Sequence, residues 1–511
     1  MALPPHPLGV RPGANELLEG PSPLRSAGLG TLRVLTDALL LDVLEFLPGD
    51  ALFLLSAASR ALYAFTAHED LWRTLSLREL QCAEYAGRWR FAHGWRATYA
   101  AARGSAFHAQ RAGGAAAHAR GLYSDLLHHA FRCASAPLDP AWLAFDNLPR
   151  ECGAALGAAD FAARYEAPNL PCVLRGGAAA LWPGQAQGAW SAGALAAAHG
   201  ATRFHCAGFS LPLSAFLAYA AASTEDNPLY LFDKEFVRRA PALGRYTPPP
   251  AFGADLLALL GEGARPDWRW LIIGGAKSGS VFHQDPNGTS AWNACLQGRK
   301  RWLLIPPDMT PPGVWAAADG SEVCVPISVM EWLLQFYSWH AKARDRRNAA
   351  VSAGAGAGVG APAGGKRTRA GDPRALAASA SASAAPLQRV YEGTVEAGDI
   401  VYVPRGWWHL VCNLDPINVA VTHNFCSPAG LPIVLAFLRD KPFAVSGVPE
   451  AQAATLHARF LAVLREQRPD LVPPASAPAE GGSAAAPRWS QLVSSASKDT
   501  FSLAATWGAK E

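Results

Sequence analysis

A histidine and an aspartate lie two residues apart in the segment His283-Gln284-Asp285, between two apolar runs that are typical of β-strands. Side chains at positions i and i+2 of a strand point to the same side, so we expect His283 and Asp285 to converge on one point. One imidazole and one carboxylate are two of the three ligands of a 2-His-1-carboxylate site, which holds Fe(II) in non-haem oxygenases. By itself the pair also fits a histidine that is merely packed or hydrogen-bonded within a strand.

A second histidine in a suitable setting comes late in the chain. His409 follows a Gly-Asp turn, an apolar run and a Pro-x-Gly turn within residues 398–406. Together with His283 and Asp285 it completes the ligand set, which leaves three octahedral positions for a bidentate keto acid and O2. The sequence therefore predicts that these three residues bind Fe(II) and carry the catalysis.

An oxygenase that consumes 2-oxoglutarate also needs a fixed cation for the distal carboxylate of this cosubstrate. Lys300 begins an apolar run after the hairpin signal Gly298-Arg299, beside the predicted metal strand, and can reach into the fold. Its neighbours Arg299 and Arg301 are then expected to alternate outward. The alternative is that residues 299–301 form a solvated basic run.

Two further polar residues interrupt apolar strands, where a buried polar group needs a partner. Asn293 lies in the apolar run after Asp285, and Thr422 follows the apolar run 419–421. Both are expected to contribute hydrogen bonds inside the fold. His423 should face the opposite way from Thr422, so it is not counted as a ligand.

The elements that must hold these residues are short strands with tight turns. Apolar runs bounded by Gly or Pro recur over residues 145–440 and predict a closed β-barrel or sandwich flanked by helices. Residues 349–386 are almost entirely Ala, Gly, Ser and Pro, and they predict a flexible surface insertion that separates the ligands at small entropic cost. A C-terminal helical region, 441–475, is expected to act as a lid or a dimerising element, and a flexible tail, 476–511, should follow it.

The N-terminal part of the chain has helical rather than strand periodicity. Residues 1–30 are rich in Pro and Gly and are expected to be disordered. Residues 31–77 contain three short leucine-rich helical patterns, which bury little surface alone and so imply a partner or a neighbouring domain. Residues 78–144 are rich in Ala, Arg and His and predict a helical connector. The fold class expected for the whole chain is α+β.

Composition narrows the functional class. The chain has 511 residues, more than one ordinary domain, and its 50% hydrophobic content allows a sizeable core. A net charge of +4 is too weak to argue for direct nucleic-acid binding. No signal peptide or transmembrane run is visible, and the nine cysteines include no CxxC pair. We therefore expect a soluble, intracellular protein with no membrane partner.

The segments that carry the candidate residues resemble those of the jumonji C oxygenases. The resemblance is closest to the branch described as arginine demethylase and lysyl hydroxylase, and it covers residues 145–475 apart from the insertion. It rests on residues 227–233, 283–302, 403–413, 422–425 and 464–471.

This resemblance implies a double-stranded β-helix, a cupin-like jelly roll, with Fe(II) held by the His/Asp/His triad. It also implies, by position, residues that bind 2-oxoglutarate: Asn293, Lys300 and Thr422, with Asn413 and Ser280 as second candidates. Gln284 and Asn287 depart from the family pattern, and we expect them to face the substrate rather than the metal.

Residues 31–77 resemble an F-box. They contain a leucine-rich first helix, a Leu-x-x-Leu-Ser-x-x-Ser-Arg pattern at 52–60 and a late Leu71-Trp72 pair, although Thr36 stands where the family often has proline. The resemblance implies binding to the Skp1-type adaptor of a ubiquitin ligase, in a plant-type arrangement with the jumonji C domain behind it. A small helical bundle packed on the main domain is the alternative.

Together these features predict an Fe(II)- and 2-oxoglutarate-dependent dioxygenase of protein side chains, a chromatin regulator acting on histones or other nuclear proteins. We expect the protein in the nucleus, and a cytoplasmic location is the alternative. Lysyl or arginyl hydroxylation and demethylation of N-methyl-arginine or N-methyl-lysine both fit the sequence. The alternative from another class is an F-box subunit that recruits substrates to a ubiquitin ligase through a non-catalytic jumonji fold.

Overall fold

The computed structural model describes residues 4–81, 89–103, 118–317, 322–356 and 387–472. The strands within these ranges are β1 Arg150–Cys152, β2 Cys172–Arg175, β3 Arg203–Cys206, β4 Phe209–Pro212, β5 Tyr230–Asp233, β6 Arg269–Gly274, β7 Gly279–His283, β8 Ser290–Gln297, β9 Lys300–Ile305, β10 Trp315–Ala316, β11 Val323–Cys324, β12 Tyr391–Val395, β13 Ile400–Val403, β14 Trp408–Asn413 and β15 Asn418–Phe425. The α-helices are Asn15–Glu19, Pro23–Gly28, Asp37–Glu45, Gly49–Ser56, Arg60–Thr66, Glu69–Gln81, Trp95–Arg103, Asp125–Ser135, Ala158–Phe161, Gly177–Leu181, Pro183–Ala186, Ala192–His199, Leu213–Ala222, Phe236–Arg239, Val329–Gly356 (the outer helix), Leu431–Asp440 and Glu450–Gln467.

Two sheets packed face to face form the body of the molecule. The larger has the order β1-β2-β13-β8-β15-β6-β5-β3-β4, and the smaller has the order β12-β9-β14-β7. β10 and β11 pair separately. Neighbouring strands are far apart in sequence and mostly antiparallel, as in a jelly roll. The predicted α+β class, a jelly-roll sandwich flanked by helices, is confirmed.

The alternation of side chains along β9 shows which face lies inside the sandwich. Trp302 packs with Val401 of β13 in the core between the sheets. Leu303 instead packs with Trp332 of the outer helix, on the outer face of the smaller sheet. Because strand residues alternate, Lys300 shares the inner side with Trp302, and it is only 1% exposed.

A β-bulge in β7 places two of its polar residues on the inner face. His283 pairs with His409 of β14, but the next inner partner of β14, Val411, pairs with Ser280. Two residues of β7, Val281 and Phe282, therefore oppose the single residue Leu410 of β14, and both pack outward toward the outer helix. Ser280 and His283 consequently face the interior although they are three residues apart.

Arg301 points away from the sandwich interior, as predicted, yet it is 1% exposed because the outer helix covers that face. It forms an ion pair with Glu392 of β12, and the same carboxylate contacts Nε2 of His340 at 3.0 Å and accepts from Arg344 at 2.6 Å. Burial raises the pKa of Glu392, but the hydrogen bond from His340 and the two arginine charges outweigh it, so the net pKa is lowered. This cluster joins the outer helix to the sheet that carries the predicted site.

Residues 4–30 differ from the expected disordered lead-in, since they contain two short helices and bury Val10 and Leu29. The backbone N–H of Gly13 donates to the Asp125 carboxylate at 2.8 Å, and Ser22 Oγ donates to the carbonyl of Gly121 at 2.5 Å. These partners lie about a hundred residues away, so composition alone gives no sign of them.

The leucine-rich region at 31–77 contains four α-helices where the sequence pattern indicated three. The additional boundary arises at Ser59, whose Oγ accepts from the backbone N–H of Leu62 at 3.1 Å and starts a separate helix. Phe53 and Trp72 from these helices belong to the same buried core as Leu231 of β5. The helical region therefore packs directly on the sandwich.

The outer helix reaches Gly356, so the first residues of the predicted insertion at 349–386 continue it. The rest of that insertion, 357–386, and the predicted tail at 476–511 lie outside the described residues. In the part of the chain that the structure describes, no helix is long and apolar enough to cross a membrane.

The first prediction concerns the buried cluster around Glu392. The substitution Glu392→Gln removes the only carboxylate that the described structure places against Arg301, and breaking a buried pair in this way costs about 3–5 kcal/mol. Urea denaturation at pH 7 should show a loss of that order. Glu235→Gln, which removes surface pairs with Arg238 and Arg239, should cost at most about 1 kcal/mol. Equal losses in the two variants would contradict the assignment.

Candidate metal centre and cosubstrate pocket

The structure brings the three predicted metal ligands together. One potential ligand atom from each of His283, Asp285 and His409 lies within 4.8 Å of the others, and the two imidazole centroids are 4.0 Å apart. Among the described residues, no other group of three or more His, Cys, Asp or Glu side chains converges in this way. The i,i+2 spacing of His283 and Asp285 produced this convergence at the end of β7, although Asp285 itself lies just beyond the strand.

Both histidines are oriented by a backbone carbonyl. Nδ1 of His283 lies 2.8 Å from the carbonyl oxygen of Val281, and Nδ1 of His409 lies 3.0 Å from that of Trp407. A hydrogen bond at Nδ1 fixes the proton there and leaves Nε2 free as a ligand. Trp302 stacks on His409 with ring centroids 6.0 Å apart, which further restricts the ring.

The protonation states suit a metal ligand set. Burial lowers the pKa of both His283 and His409 to about 4, and for His283 the neighbouring His409 acts in the same direction. Both imidazoles are therefore neutral near pH 7. Burial raises the pKa of Asp285, although His283 and a hydrogen bond from Asn424 oppose the shift. A cation at this point would favour the ionised carboxylate.

The three side chains also have the free donor atoms that a divalent metal ion requires. Oδ2 of Asp285 is buried and has no hydrogen-bond partner among the described residues. A buried carboxylate oxygen without a partner is costly, and a divalent cation removes that cost. Two neutral imidazoles and one carboxylate suit Fe(II), and the three residues leave coordination positions free.

Lys300 lies on the same inner face and is held by two neutral groups. Its Nζ donates to Oδ1 of Asn413 at 2.7 Å and to the hydroxyl of Tyr230 at 3.2 Å. Nδ2 of Asn413 in turn donates to Ser278 Oγ at 2.9 Å, which fixes the amide with its oxygen toward the lysine. No carboxylate of the described residues forms an ion pair with Lys300. A buried cation without a counter-charge is suited to an anionic ligand.

The opposite wall of the pocket comes from the larger sheet. Asn293 of β8 and Thr422 of β15 are paired across the two strands and share one face. Thr422 Oγ1 donates to the carbonyl of Trp292 at 2.8 Å, while Oδ1 of Asn293 is buried and without a partner among the described residues. Ser280 is half-buried on the inner face of β7. The structure therefore gathers all the predicted polar residues between the two sheets.

His423 faces away from this pocket, as predicted. Its Nε2 lies 2.5 Å from the Tyr246 hydroxyl, and its ring packs on Trp292 on the other side of the larger sheet. Gln284 and Asn287 both bridge to backbone segments remote in sequence. Both amide atoms of Asn287 bond to the backbone of Ser446, so the expectation that this residue faces the substrate is wrong. Gln284 donates to the carbonyl of Gly406 at 2.6 Å, but its Oε1 has no partner among the described residues, so for Gln284 the expectation stays a prediction.

Three contributing residues were missed at the level of sequence. Tyr230 and Ser278 support Lys300 and Asn413, and Asn424 bonds both the Asp285 carboxyl and Thr289 Oγ1, the latter at 3.0 Å. The alternation of side chains along a strand could have revealed Asn424, because this residue follows Thr422 by two positions and so lies on the same face. Nothing comparable marked Tyr230, because its partner comes from the opposite sheet.

The fold and the site together define an iron- and 2-oxoglutarate-dependent oxygenase, and comparison with known proteins agrees. Residues 207–430 match the cupin-like domain family. The chain is 34% identical to the arginine-specific demethylase JMJ22 of Arabidopsis thaliana over 510 residues, which are 98% of this chain and 89% of that protein. Because this similarity spans nearly both chains, the protein belongs to the jumonji C oxygenases of the cupin-like fold.

Two more distant relatives fit the same family. The bifunctional arginine demethylase and lysyl-hydroxylase psr-1 of Caenorhabditis elegans is 29% identical over 340 residues, 64% of this chain and 70% of that protein. The 2-oxoglutarate and iron-dependent oxygenase JMJD4 of Gallus gallus is 29% identical over 221 residues, 42% of this chain and 40% of that protein.

The second prediction tests the metal centre. His283→Ala and Asp285→Ala should each weaken Co(II) binding by more than the roughly 10–100-fold that loss of a residue supporting a ligand costs. Isothermal titration calorimetry under anaerobic conditions measures the affinity. His205→Ala provides the control, since His205 is an exposed strand histidine outside the site and should bind Co(II) as the unchanged protein does. Unaltered affinity in the two site variants would place the metal elsewhere.

Proposed function

We propose that His283, Asp285 and His409 hold Fe(II) and that Lys300 anchors the distal carboxylate of 2-oxoglutarate. The observation that carries this proposal is the pairing of a converged His/Asp/His triad with a buried, uncompensated lysine on the same inner face of the smaller sheet. When bound, Fe(II), 2-oxoglutarate and O2 supply the oxidation of a substrate C–H bond to an alcohol, with release of succinate and CO2.

The protein side chains around Lys300 select and orient the cosubstrate. Asn413 and Tyr230 accept from Nζ, so the ammonium group keeps a fixed position and one direction remains for an anion. Asn293 and Thr422, on the opposite sheet, face the same space, and the Thr422 hydroxyl would have to exchange its bond to the carbonyl of Trp292 for one to the carboxylate. Ser280, on the inner face of β7, is the remaining hydroxyl of the set. A carboxylate held by a charged donor and several neutral ones is bound more tightly than by either alone.

The substrate in this proposal is a protein side chain. The relatives are named an arginine-specific demethylase and a bifunctional arginine demethylase and lysyl-hydroxylase, and these names support arginine or lysine as the target residue. That this residue belongs to a histone or another nuclear protein is part of the proposal. Hydroxylation leaves a stable alcohol on the side chain. If the oxidised carbon is an N-methyl group, the product breaks down to formaldehyde and the demethylated side chain. A nuclear location accords with a chromatin substrate.

The third prediction addresses turnover. With Fe(II), ascorbate and 2-oxoglutarate, the protein should release succinate, and Lys300→Met should raise the KM for 2-oxoglutarate by about 10–100-fold because a charge-assisted hydrogen bond is lost. Co(II) affinity should stay unchanged in that variant. Lys277→Met is the matched control, since its Nζ donates to the carbonyl of Ala134 rather than to the pocket. Absence of succinate release with every peptide offered would favour the non-catalytic alternative.

Mass spectrometry of the peptide product distinguishes hydroxylation from demethylation. Arginine and lysine peptides, each unmethylated and N-methylated, are the probes. A gain in mass of one oxygen atom identifies hydroxylation, whereas a loss of one methylene per methyl group, with formaldehyde in solution, identifies demethylation.

A second candidate function is supported by the N-terminal helices. In the helix Asp37–Glu45, Leu40, Leu41 and Leu44 are buried, but Leu39 and Val43 are 51% and 47% exposed, and Phe46 beyond it is 88% exposed. Positions 39, 43 and 46 follow one helix face, so the helix is apolar on both sides. An apolar outer face of this kind is suited to a partner protein, which supports an F-box that binds a Skp1-type adaptor.

The fourth prediction tests this face. The double substitution Leu39→Asp, Phe46→Asp should weaken binding to a purified Skp1-type adaptor by at least about tenfold, since exposed aromatic anchors contribute strongly to interfaces. Both residues are largely exposed, so succinate release should be unchanged. Trp339→Asp, which changes an exposed aromatic residue on the outer helix, should leave adaptor binding intact. An unmodified protein that fails to bind the adaptor would exclude the F-box function.

A further inference from the structure

The segment 441–449, here called the strap, connects the helix Leu431–Asp440 to the helix Glu450–Gln467. Ala444 in the strap is buried in the same apolar cluster as Leu456 and Phe460 of the second helix, so the strap is anchored to the C-terminal region. The helix Leu431–Asp440 packs against the turn Pro286–Gly288, which directly follows Asp285. The C-terminal region therefore adjoins the loop that carries a metal ligand.

A side-chain clamp joins the strap to that loop. Nδ2 of Asn287 donates to the carbonyl of Ser446 at 3.0 Å, and the backbone N–H of Ser446 donates to Oδ1 of Asn287 at 3.1 Å. One amide thus satisfies both backbone groups of one residue, as a neighbouring strand would. Asn287 is 3% exposed, so water competes little with these bonds.

The backbone of Asn287 is adapted to this clamp. Its φ angle is 59°, a left-handed conformation that asparagine tolerates better than most residues other than glycine. The loop between Asp285 and β8 is therefore fixed locally by a special conformation and remotely by the strap. On its far side the strap is held as well, because the carbonyl of Gly447 accepts from the backbone N–H of Asp267 at 2.8 Å.

We propose that Asn287 is a positioning residue for the oxidation, because it couples the strap to the loop that carries Asp285. The C-terminal helical region is then part of the active-site framework and holds the carboxylate ligand in place, rather than serving as a separate lid. The proposal rests on the proposed function in one respect, that Asp285 is an iron ligand. The Asn287 side chain acts through the loop and touches neither the metal nor the substrate.

The fifth prediction uses Asn287→Gly in the full-length protein. Glycine adopts the left-handed conformation without strain, so this variant removes the clamp and leaves the turn intact. Co(II) affinity should fall about tenfold, the d–d absorption bands of bound Co(II) should shift, and kcat should fall more than the KM for 2-oxoglutarate rises. Hydrogen exchange at the Ser446 amide should accelerate. Asn287→Asp, which keeps the acceptor for that amide, should recover part of the Co(II) affinity.

The chain offers a closely matched control in Asn348 on the outer helix. Its amide donates to the carbonyl of Val390 at 3.0 Å and accepts from the N–H of the same residue at 2.8 Å, so the same two bonds form away from the metal loop. Asn348→Ala should leave Co(II) binding and kcat unchanged. The proposal is overturned if Asn287→Gly loosens the strap but keeps the Co(II) affinity, bands and kcat of the unmodified protein, or if Asn348→Ala loses them equally. Failure of the unmodified protein to bind Co(II) would instead refute the proposed metal centre.

Discussion

The register of β14 between its two neighbours is the constraint on which the site depends. On one side β14 places His409 opposite His283 of β7, and on the other it places Asn413 opposite Lys300 of β9. One strand therefore aligns the metal ligands and the anchor for an anion at the same time. A slip of β14 by one residue would turn His409 and Asn413 to the outer face, among the apolar residues that pack under the outer helix. The bulge in β7 is part of this register, since it brings Ser280 back to the inner face.

Charge balance distinguishes the pocket from the outer face of the smaller sheet, although both contain buried polar atoms that have no partner among the described residues. Inside, Oδ2 of Asp285 and Oδ1 of Asn293 are buried and unbonded among the described residues, and Lys300 has no counter-charge. On the outer face, Arg301 forms an ion pair with Glu392, and Tyr337, His340 and Arg344 of the outer helix also contact this carboxylate. Buried polar groups are normally satisfied, so unsatisfied acceptors beside an uncompensated cation indicate where bound groups supply the missing partners. Adjacent residues on one strand, Lys300 and Arg301, thus serve binding and stability respectively.

Local periodicity accounts for what could be predicted from the sequence. The i,i+2 spacing of His283 and Asp285, and the alternation of Lys300 with Arg301, follow from strand geometry alone and agree with the structure. The clamp at Asn287, the support of Lys300 by Tyr230 and the ordering of residues 4–30 depend instead on contacts between residues far apart in sequence. Such contacts are set by the packing of whole sheets and helices, so residue type and spacing did not reveal them. The assignment of 31–77 as an F-box stays a prediction, because helices alone do not identify a partner.

The helical region and the sandwich are joined by a continuous set of contacts that reaches the pocket. Trp95 and Tyr219 both donate to Glu225, and the Tyr219 hydroxyl accepts from the backbone N–H of Leu229 at 2.8 Å. The next residue, Tyr230, bonds to Lys300. Burial raises the pKa of Glu225, although the charge of Arg73 opposes this shift. Burial of this carboxyl group is unfavourable, but its hydrogen bonds fix the geometry of the junction. The exposed face of the N-terminal helices is therefore held in a defined position relative to the pocket, and a partner bound there would occupy a constant place with respect to the site of oxidation.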